Sequence, residues 1–564
     1  MTRDETLRGR LARHVLTDGF HITLDLGRSR GSWIVDAETG ERYLDLYAFF
    51  ASAPLGINPP DVTDDPDFVR LLAEAAANKP TNPDIYTPHY AEFVETFSRV
   101  LGDPALPNLF FIEGGALAVE NALKCAFDWK SRHNQARGHS PQLGMKAIHL
   151  TRAFHGRSGY TLSLTNTDAV KTERFPLFDW PRIDVPAVTF PLSEHLAEVA
   201  AAEQRALSQA EAAFRDHPGD IACFIAEPIQ SEGGDNHMRA EFLQAMQRMC
   251  EDNDALFILD EVQTGVGTAG TAWAYQQLGL EPDIVAFGKK VQLGGIMAGR
   301  RVNEIPDNVF TVSGRINSTW GGGLVDMVRS RRLLEVIERD QLFDRSAATG
   351  AWFLTELDEI GARFPGLVSN VRGRGLMCAF DLPGPQERDS LLTILREEER
   401  VLLLPSGTRS IRFRPALTIS QAELTVGRKA IERSLDRLGV LAHGPGESSV
   451  QLRLDGRAHD DLADVDRIWL GDGEGDRLSD RFGRHGDRVA AGGQRRELAR
   501  VTGGGDEVGG GESRRHERRA EALGSEFLPH HLAQGAHRGL GGGVDGLAGD
   551  PLVGGGGRHG DEVP

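Results

Sequence analysis

The sequence predicts an α/β fold with a mostly parallel sheet. Short apolar runs with the length of buried strands alternate with longer segments whose apolar residues recur at helical spacing. This alternation continues through about the first 440 of the 564 residues. A chain of this length buries a large core and ordinarily forms more than one domain. We therefore expect a large domain built on the sheet and a smaller α+β domain beside it.

The expected strands of the sheet are apolar runs of four to six residues, too short for buried helices. They are 109–112, 147–150, 221–226, 255–259 and 284–287. A helix is expected over 115–132, where Val119, Ala122, Leu123, Ala126 and Phe127 fall at helical spacing. A second helix, over 324–339, is expected to lead into the smaller domain.

The smaller domain is expected to hold strands within 368–382 and 401–417, with a helix between them. Ser420 and Glu423 form a capping-box pattern, which predicts a last helix over about 421–438. The predicted domain limits follow from these elements. They are an N-terminal segment 1–60 that contributes to the small domain, a large domain 61–320 that holds the main sheet, and the small domain 321–440.

The composition changes near residue 441. The last 124 residues hold 29 of the 66 glycines and contain no lysine, tyrosine or asparagine. Such a segment cannot bury enough apolar surface to fold. We interpret 441–564 as a disordered Gly/Arg/Asp-rich tail that arises from read-through or a frameshift in a GC-rich gene. A genuine disordered tail of the native protein is the alternative.

Charge and cysteine content exclude several classes of function. The net charge of −19 argues against nucleic acid as a partner. The sequence contains no run of about 18 apolar residues, the length needed to span a membrane. Its N-terminus lacks the apolar stretch of a signal peptide. Cys125, Cys223, Cys250 and Cys378 show neither metal-ligand spacing nor a disulfide pattern. We expect a cytoplasmic protein with reduced, buried thiols and no metal.

An acid and an amine follow two neighbouring predicted strands. Asp260 ends the run 255–259, and Lys289 follows the run 284–287 and Gly288. Ligands bind open α/β sheets at the carboxyl ends of the strands. Pyridoxal phosphate needs this pair, because the amine forms a Schiff base with its aldehyde and the acid keeps its pyridine nitrogen protonated. The alternatives are that Lys290 is the reactive amine in place of Lys289, and that Asp260 only forms a structural ion pair.

Further residues at the predicted sheet edge suit the same cofactor or a carboxylate ligand beside it. The Gly114-Gly115-Ala116 turn precedes a helix, and a helix N-terminus binds phosphate through free N–H groups. Phe154 could stack on a flat ring, and Arg157 offers a fork for a carboxylate. Gln263 could donate to the phenolate oxygen of the ring. The alternatives are that the Gly-Gly segment is an ordinary turn, that Phe154 is a core aromatic residue and that Arg157 is a surface arginine.

These motifs, together with Asn317-Ser318-Thr319-Trp320-Gly321-Gly322, resemble the fold-type I pyridoxal phosphate aminotransferases of class III. The likeness extends from about residue 19 to residue 438, and it is strongest to members that act on ω-amines. It implies that Lys289 is the catalytic amine and Asp260 the partner of the pyridine nitrogen. The implied cofactor contacts are Gly115, Ala116, Phe154, Gln263 and, from the neighbouring subunit, Thr319. The resemblance therefore implies a homodimer with shared active sites.

The resemblance also implies a substrate side. Arg157 and Arg412 would bind carboxylates, Glu232 would pair with Arg412 while lysine is bound, and Asn317 would contact substrate. The expected reaction transfers the ε-amino group of L-lysine to 2-oxoglutarate by a ping-pong mechanism. The alternatives are an aminotransferase for ornithine, 4-aminobutyrate or diaminobutyrate, and a non-catalytic binding protein that keeps the fold.

Overall fold

The computed structural model describes residues 6–442, all of which belong to one compact unit. Apart from its first two residues, the predicted tail 441–564 lies outside the described residues. The strands are β1 (Trp33–Val35), β2 (Arg42–Asp45), β3 (Asn108–Ile112), β4 (Lys146–Leu150), β5 (Arg182–Ile183), β6 (Ile221–Ala226), β7 (Ile229–Gln230), β8 (Asn236–His237), β9 (Leu256–Asp260), β10 (Ile284–Phe287), β11 (Gly294–Ala298), β12 (Ser369–Arg374), β13 (Met377–Asp381), β14 (Val401–Leu402), β15 (Leu404–Ser406) and β16 (Ser410–Phe413).

The α-helices vary from one turn to 25 residues. They are α1 (Leu7–Leu11), α2 (Ala48–Ala51), α3 (Pro60–Thr63), α4 (Pro66–Ala77), α5 (Pro88–Val100), α6 (Gly115–Ala136), α7 (Gly159–Leu164), α8 (Leu192–Asp216), α9 (Ala240–Asp252), α10 (Leu324–Arg339), α11 (Leu342–Arg363), α12 (Pro385–Glu397) and α13 (Gln421–Ala442). Of the helices within residues 6–442, none is both long and apolar enough to cross a lipid bilayer.

The central sheet has seven strands in the order β3-β11-β10-β9-β6-β4-β5. β10, β9, β6, β4 and β5 pair in parallel, and β11 runs antiparallel to both of its neighbours. The predicted α/β class with a mostly parallel sheet is confirmed. Each of the five predicted strands is present within one residue of its expected limits.

The apolar runs are continuous because the strands are covered on both faces. In β9, Phe257 and Leu259 point into one buried cluster, while Leu256 and Ile258 point into another. Successive side chains of a strand alternate between faces, so a strand with two covered faces has no polar position. The helix α6 covers the second face through residues such as Val119 and Leu123.

A second, antiparallel sheet in the order β12-β13-β16-β15 carries Arg412 on β16. The helix α13 follows it and begins with the predicted capping box. The Ser420 hydroxyl accepts the Glu423 N–H at 3.2 Å, and Glu423 Oε2 accepts the Ser420 N–H at 2.9 Å. A third small sheet pairs β2 with β14 and so joins the N-terminal segment to the C-terminal part of the described chain.

Candidate active site

Asp260 and Lys289 lie at one edge of the central sheet. Asp260 is the last residue of β9 and is paired with Ala286 in the parallel register of β10. Lys289 follows three residues after Ala286, just beyond the end of the strand. It has a φ of 48°, in the left-handed region that non-glycine residues rarely occupy outside functional sites. The two strands therefore bring the acid and the amine to the same edge, as the sequence predicts.

The environment of Lys289 favours the neutral amine. Burial lowers the pKa of Lys289 from 10.5 to about 8, the charge of Arg412 acts in the same direction, and the charges of Asp260 and Glu232 oppose it. The Lys289 Nζ lies 5.8 Å from the centre of the Phe50 ring. Phe50 belongs to α2, whose four residues all have positive φ, so a strained turn forms part of the wall beside the amine.

Lys290 has a structural role in this geometry. Its side chain is buried, and its Nζ donates a 2.8 Å hydrogen bond to the main-chain carbonyl of Gln263. Burial, together with the charge of Lys289, holds the pKa of Lys290 well below its ordinary value. Because the Lys290 amine is engaged with the main chain, the geometry favours Lys289 as the amine that reacts.

A buried histidine that the sequence patterns did not single out holds Asp260. His155 Nδ1 and Asp260 Oδ2 are 2.8 Å apart, and Asp260 Oδ1 accepts the N–H of Val262 at 3.0 Å. Burial alone would lower the pKa of His155, but the hydrogen bond and the charge of Asp260 raise it. His155 and the main chain of Val262 thus fix the orientation of the Asp260 side chain.

Phe154 is fixed by another buried acid, which the sequence patterns also missed. Its N–H donates to Glu227 Oε1 at 3.0 Å, and Glu227 Oε2 accepts the Ser231 N–H at 3.0 Å. Burial raises the pKa of Glu227 to about 7. The Phe154 ring has Arg157 at 5.9 Å and Lys171 at 5.8 Å from its centre.

The Gly114-Gly115-Ala116 turn forms a close-packed helix N-terminus. Gly114 has a φ of 89° and contributes no side-chain cap to α6, so the first N–H groups of the helix remain available. A Cβ on Gly115 would stand 2.8 Å from Val262, and one on Gly156 would stand 2.6 Å from the Cβ of Ala116. Glycine at both positions lets the backbone segments meet beside the helix end.

The described residues fit pyridoxal phosphate. The α6 N-terminus lies against Gly288, since a Cβ there would stand 3.2 Å from Gly115 Cα, so the uncapped helix end lies next to Lys289. An amine with a lowered pKa, an oriented carboxylate and an uncapped helix end are the groups that the cofactor requires. Within residues 6–442 no cluster of His, Cys, Asp or Glu is arranged to hold a metal ion.

Two buried arginines differ in their partners. Arg414 donates to Gln263 Oε1 at 2.8 Å and pairs with Asp235. Arg412 has only a 3.4 Å contact from Nη1 to Gln263 Oε1, and its Nε has no hydrogen-bond partner among residues 6–442. The two guanidinium groups fix the carbonyl end of Gln263, so its amide N–H groups are the end that can donate to a ligand. Of the two, Arg412 is therefore the arginine whose N–H donors are available to a ligand.

Glu232 does not contact Arg412 in this structure. It pairs with Lys171 and accepts a 3.1 Å hydrogen bond from the Thr167 hydroxyl. Burial would raise the pKa of Glu232, but the charges of Lys171 and Arg412 lower it, so Arg412 is within electrostatic reach. The ion pair that the resemblance implied for the lysine-bound state is therefore not the arrangement described here.

A cavity of about 1160 Å³ joins the substrate-side residues. Arg157, Glu232 and Arg412 line it together with Lys171 and Thr167. Eight of the lining residues are Lys or Arg and four are Asp or Glu. The cavity is thus positive in a chain of net charge −19, which suits an anionic substrate.

Asn317 and Thr319 lie apart from this cavity. Both are exposed in the segment before α10, and Asn317 Oδ1 accepts the N–H of Ser318 at 2.8 Å. Among residues 6–442 we find no hydrogen bond from either side chain to Lys289 or Asp260. The expected role of Thr319 toward the phosphate of a neighbouring subunit and that of Asn317 toward substrate thus remain predictions.

Comparisons with known proteins show what this chain is similar to. The family model described as aminotransferase class-III matches residues 17–435. The L-lysine-epsilon aminotransferase of Amycolatopsis lactamdurans is 59% identical over 433 residues, which cover 77% of this chain and 96% of the relative. The solved lysine aminotransferase from M. tuberculosis has a TM-score of 0.75 at 58% identity, over 77% of this chain and 99% of that one. The mitochondrial 4-aminobutyrate aminotransferase of Homo sapiens is 31% identical over 424 residues, which cover 71% of this chain and 82% of the relative.

Proposed function

Because the chain belongs to the class III aminotransferase family, we propose that it transfers the ε-amino group of L-lysine to 2-oxoglutarate, with pyridoxal phosphate as cofactor. The products are 2-aminoadipate 6-semialdehyde and L-glutamate. The observation that carries the choice of lysine is the 59–60% identity to L-lysine-epsilon aminotransferases over at least 93% of their lengths. The 4-aminobutyrate aminotransferases are only 31–32% identical.

The cofactor would be held by groups at the sheet edge. Gly115 and Ala116 would supply N–H groups for its phosphate, Phe154 would stack on its ring, and Gln263 would donate to its phenolate oxygen. Asp260, oriented by His155, would hold the proton on the pyridine nitrogen. When bound, pyridoxal phosphate supplies an electron sink for the charge that develops on the carbon bearing the amine.

Lys289 moves the proton in both half-reactions. With a pKa of about 8, an appreciable share of its Nζ is neutral near pH 7 and can accept the proton from Cε of the bound lysine. The same Nζ returns a proton to the carbon of the 2-oxo acid in the second half. A general base works best when its pKa lies near the working pH, which is what burial achieves here.

The substrate side has to accept two charge patterns in one place. Lysine reacts through its ε-amine and presents an uncharged chain to Arg412, and its α-carboxylate can reach Arg157. 2-Oxoglutarate brings a carboxylate beside the reacting carbon, which Arg412 binds, and a distal carboxylate for Arg157. Glu232 pairs with Arg412 when lysine is bound, because an unpaired buried guanidinium is costly. Asn317 provides a further contact to substrate.

We also propose a cytoplasmic homodimer with shared active sites. The exposure of Thr319 supports this assembly, since an exposed side chain can reach the active site of a neighbouring subunit. The four cysteines are free and buried, which suits a reducing compartment.

A spectroscopic titration tests the proposed function. Lysine added to the cofactor-loaded protein should convert its visible absorbance to that of the aminated cofactor, and 2-oxoglutarate should restore it. Steady-state kinetics should give parallel double-reciprocal lines, and intersecting lines would exclude the ping-pong mechanism. Ornithine and 4-aminobutyrate are the matched alternatives: faster conversion by either would replace lysine as the donor.

A further inference from the structure

Lys171 is a charged residue of the substrate cavity to which neither the sequence patterns nor the family resemblance gives a role. Its Nζ pairs with Glu232 Oε1 and donates a 2.9 Å hydrogen bond to the Thr167 hydroxyl. Thr167 donates in turn to the same Glu232 oxygen at 3.1 Å. A hydroxyl can donate one hydrogen bond and accept two, so the Thr167 hydroxyl can accept from Lys171 and donate to Glu232 at the same time.

The segment that holds Glu232 is itself fixed. Lys171 ends a short 3-10 helix, Ala169–Lys171, whose N-terminus is capped by the Asp168 side chain through a 3.0 Å hydrogen bond from Val170 N–H. Thr167 precedes this cap, and both partners of Glu232 therefore come from one ordered turn. The turn also places the Lys171 amine 5.8 Å from the centre of the Phe154 ring.

Arg412 is left without a carboxylate while Glu232 is held there. Its guanidinium is buried and its Nε has no partner within residues 6–442, whereas neighbouring Arg414 pairs with Asp235. A buried guanidinium with unfilled donors binds an incoming carboxylate strongly. The described arrangement is thus the one suited to a dicarboxylate ligand.

We propose that Lys171 and Thr167 hold Glu232 away from Arg412, and so stabilise the form of the active site that binds 2-oxoglutarate. The inference rests on the proposed function and assigns Lys171 as a positioning residue that acts through Glu232. Glu232 has two cationic partners to choose between, and ligand binding shifts that choice. Without Lys171, the remaining cationic partner for Glu232 is Arg412, and 2-oxoglutarate would have to displace Glu232 from it.

The test uses Lys171→Met in the cofactor-loaded enzyme and follows each half-reaction separately. We expect the KM for 2-oxoglutarate to rise about 10-fold, the scale of one lost charge-assisted hydrogen bond, with kcat unchanged. The lysine half-reaction should stay within about twofold, because Glu232 on Arg412 is the form that lysine uses. Lys171→Arg keeps the positive charge and should restore the affinity.

Binding of glutarate, a dicarboxylate that cannot react, gives a readout independent of turnover. Calorimetry on the enzyme with its cofactor in the aminated form should show the same loss for Lys171→Met. The double variant Lys171→Met/Glu232→Gln should recover the affinity, because no carboxylate then competes for Arg412. The matched control is Arg205→Met, which removes an exposed cation of the same cavity that has no contact with Glu232, and its effect on glutarate binding should be much smaller than that of Lys171→Met.

Three results would overturn the inference. They are an unchanged glutarate affinity in Lys171→Met, a loss that Glu232→Gln does not relieve, and an equal loss in Arg205→Met. The second would mean that Lys171 binds the dicarboxylate itself, and the third that only the total charge of the cavity matters. Failure of the proposed function is distinguishable, since wild-type enzyme would then show no lysine half-reaction whatever Lys171 does to glutarate binding.

Discussion

Lys289 should react with the cofactor at a pH at which an ordinary lysine is almost wholly protonated. Burial, aided by the charge of Arg412, lowers its pKa from 10.5 to about 8 against the charges of Asp260 and Glu232. Only the neutral amine attacks an aldehyde. At pH 7 the neutral fraction is about 0.03% for a pKa of 10.5 and about 10% for a pKa of 8, which is a gain of about 300-fold.

The assay removes the cofactor, adds it back between about pH 6 and pH 10, and records the rate at which the visible absorbance returns. The rate should rise with pH, bend near pH 8 and then level off, because the amine is neutral above its pKa. Replacing Asp260 by Asn removes a charge that raises the pKa, so the bend should move to lower pH. Arg412→Met should move it to higher pH. A rate that climbs through pH 10 without a bend, in all three proteins, would refute the reasoning.

Three further predictions concern neighbouring groups. Lys290→Met should keep cofactor attachment and lower the free energy of unfolding by about 1 kcal/mol, because it removes the hydrogen bond to Gln263. Urea denaturation measures this change, and loss of the cofactor absorbance would contradict a structural role for Lys290. His155→Leu should lower kcat of both half-reactions about 10- to 100-fold, because Asp260 loses a charge-assisted hydrogen bond. An unchanged kcat would show that His155 does not orient Asp260. Raising the salt concentration should lower kcat/KM for 2-oxoglutarate several-fold and spare lysine, since the positive cavity attracts the anion; an equal response of the two substrates would exclude this attraction.

The sheet and the position of the catalytic pair follow from short-range patterns. β9 and β10 are continuous apolar runs because both faces are covered, and the polar residue after each run marks its carboxyl end. Asp260 and Lys289 could therefore be placed at one sheet edge without coordinates. The capping box at Ser420 is likewise local, since both of its partners lie within one turn.

β11 was not predicted, because its sequence Gly-Gly-Ile-Met-Ala does not have the bulky character of a strand. Glycine is required there by close backbone approach: a Cβ on Gly294 would stand 2.2 Å from the Gly114 carbonyl oxygen. That contact joins residues 180 positions apart, so no local pattern shows it.

The partners within the site were missed for a similar reason. His155 reaches Asp260 across 105 residues of sequence, and Lys171 reaches Glu232 across 61. The signals present in the sequence were a histidine inside the Phe154–Arg157 motif and a lysine in a capped turn, and neither is distinctive alone. The predicted domain limits and the tail 441–564 remain predictions.

Borohydride reduction of the cofactor-loaded protein, followed by digestion and mass spectrometry, identifies the lysine to which the cofactor is attached. The cofactor mass should appear on Lys289 in wild-type protein and in Lys290→Met, and it should be absent from Lys289→Ala. A modified Lys290 in wild-type protein, or a modified site away from the β9–β10 edge, would contradict the assignment of Lys289 and Asp260 to one cofactor.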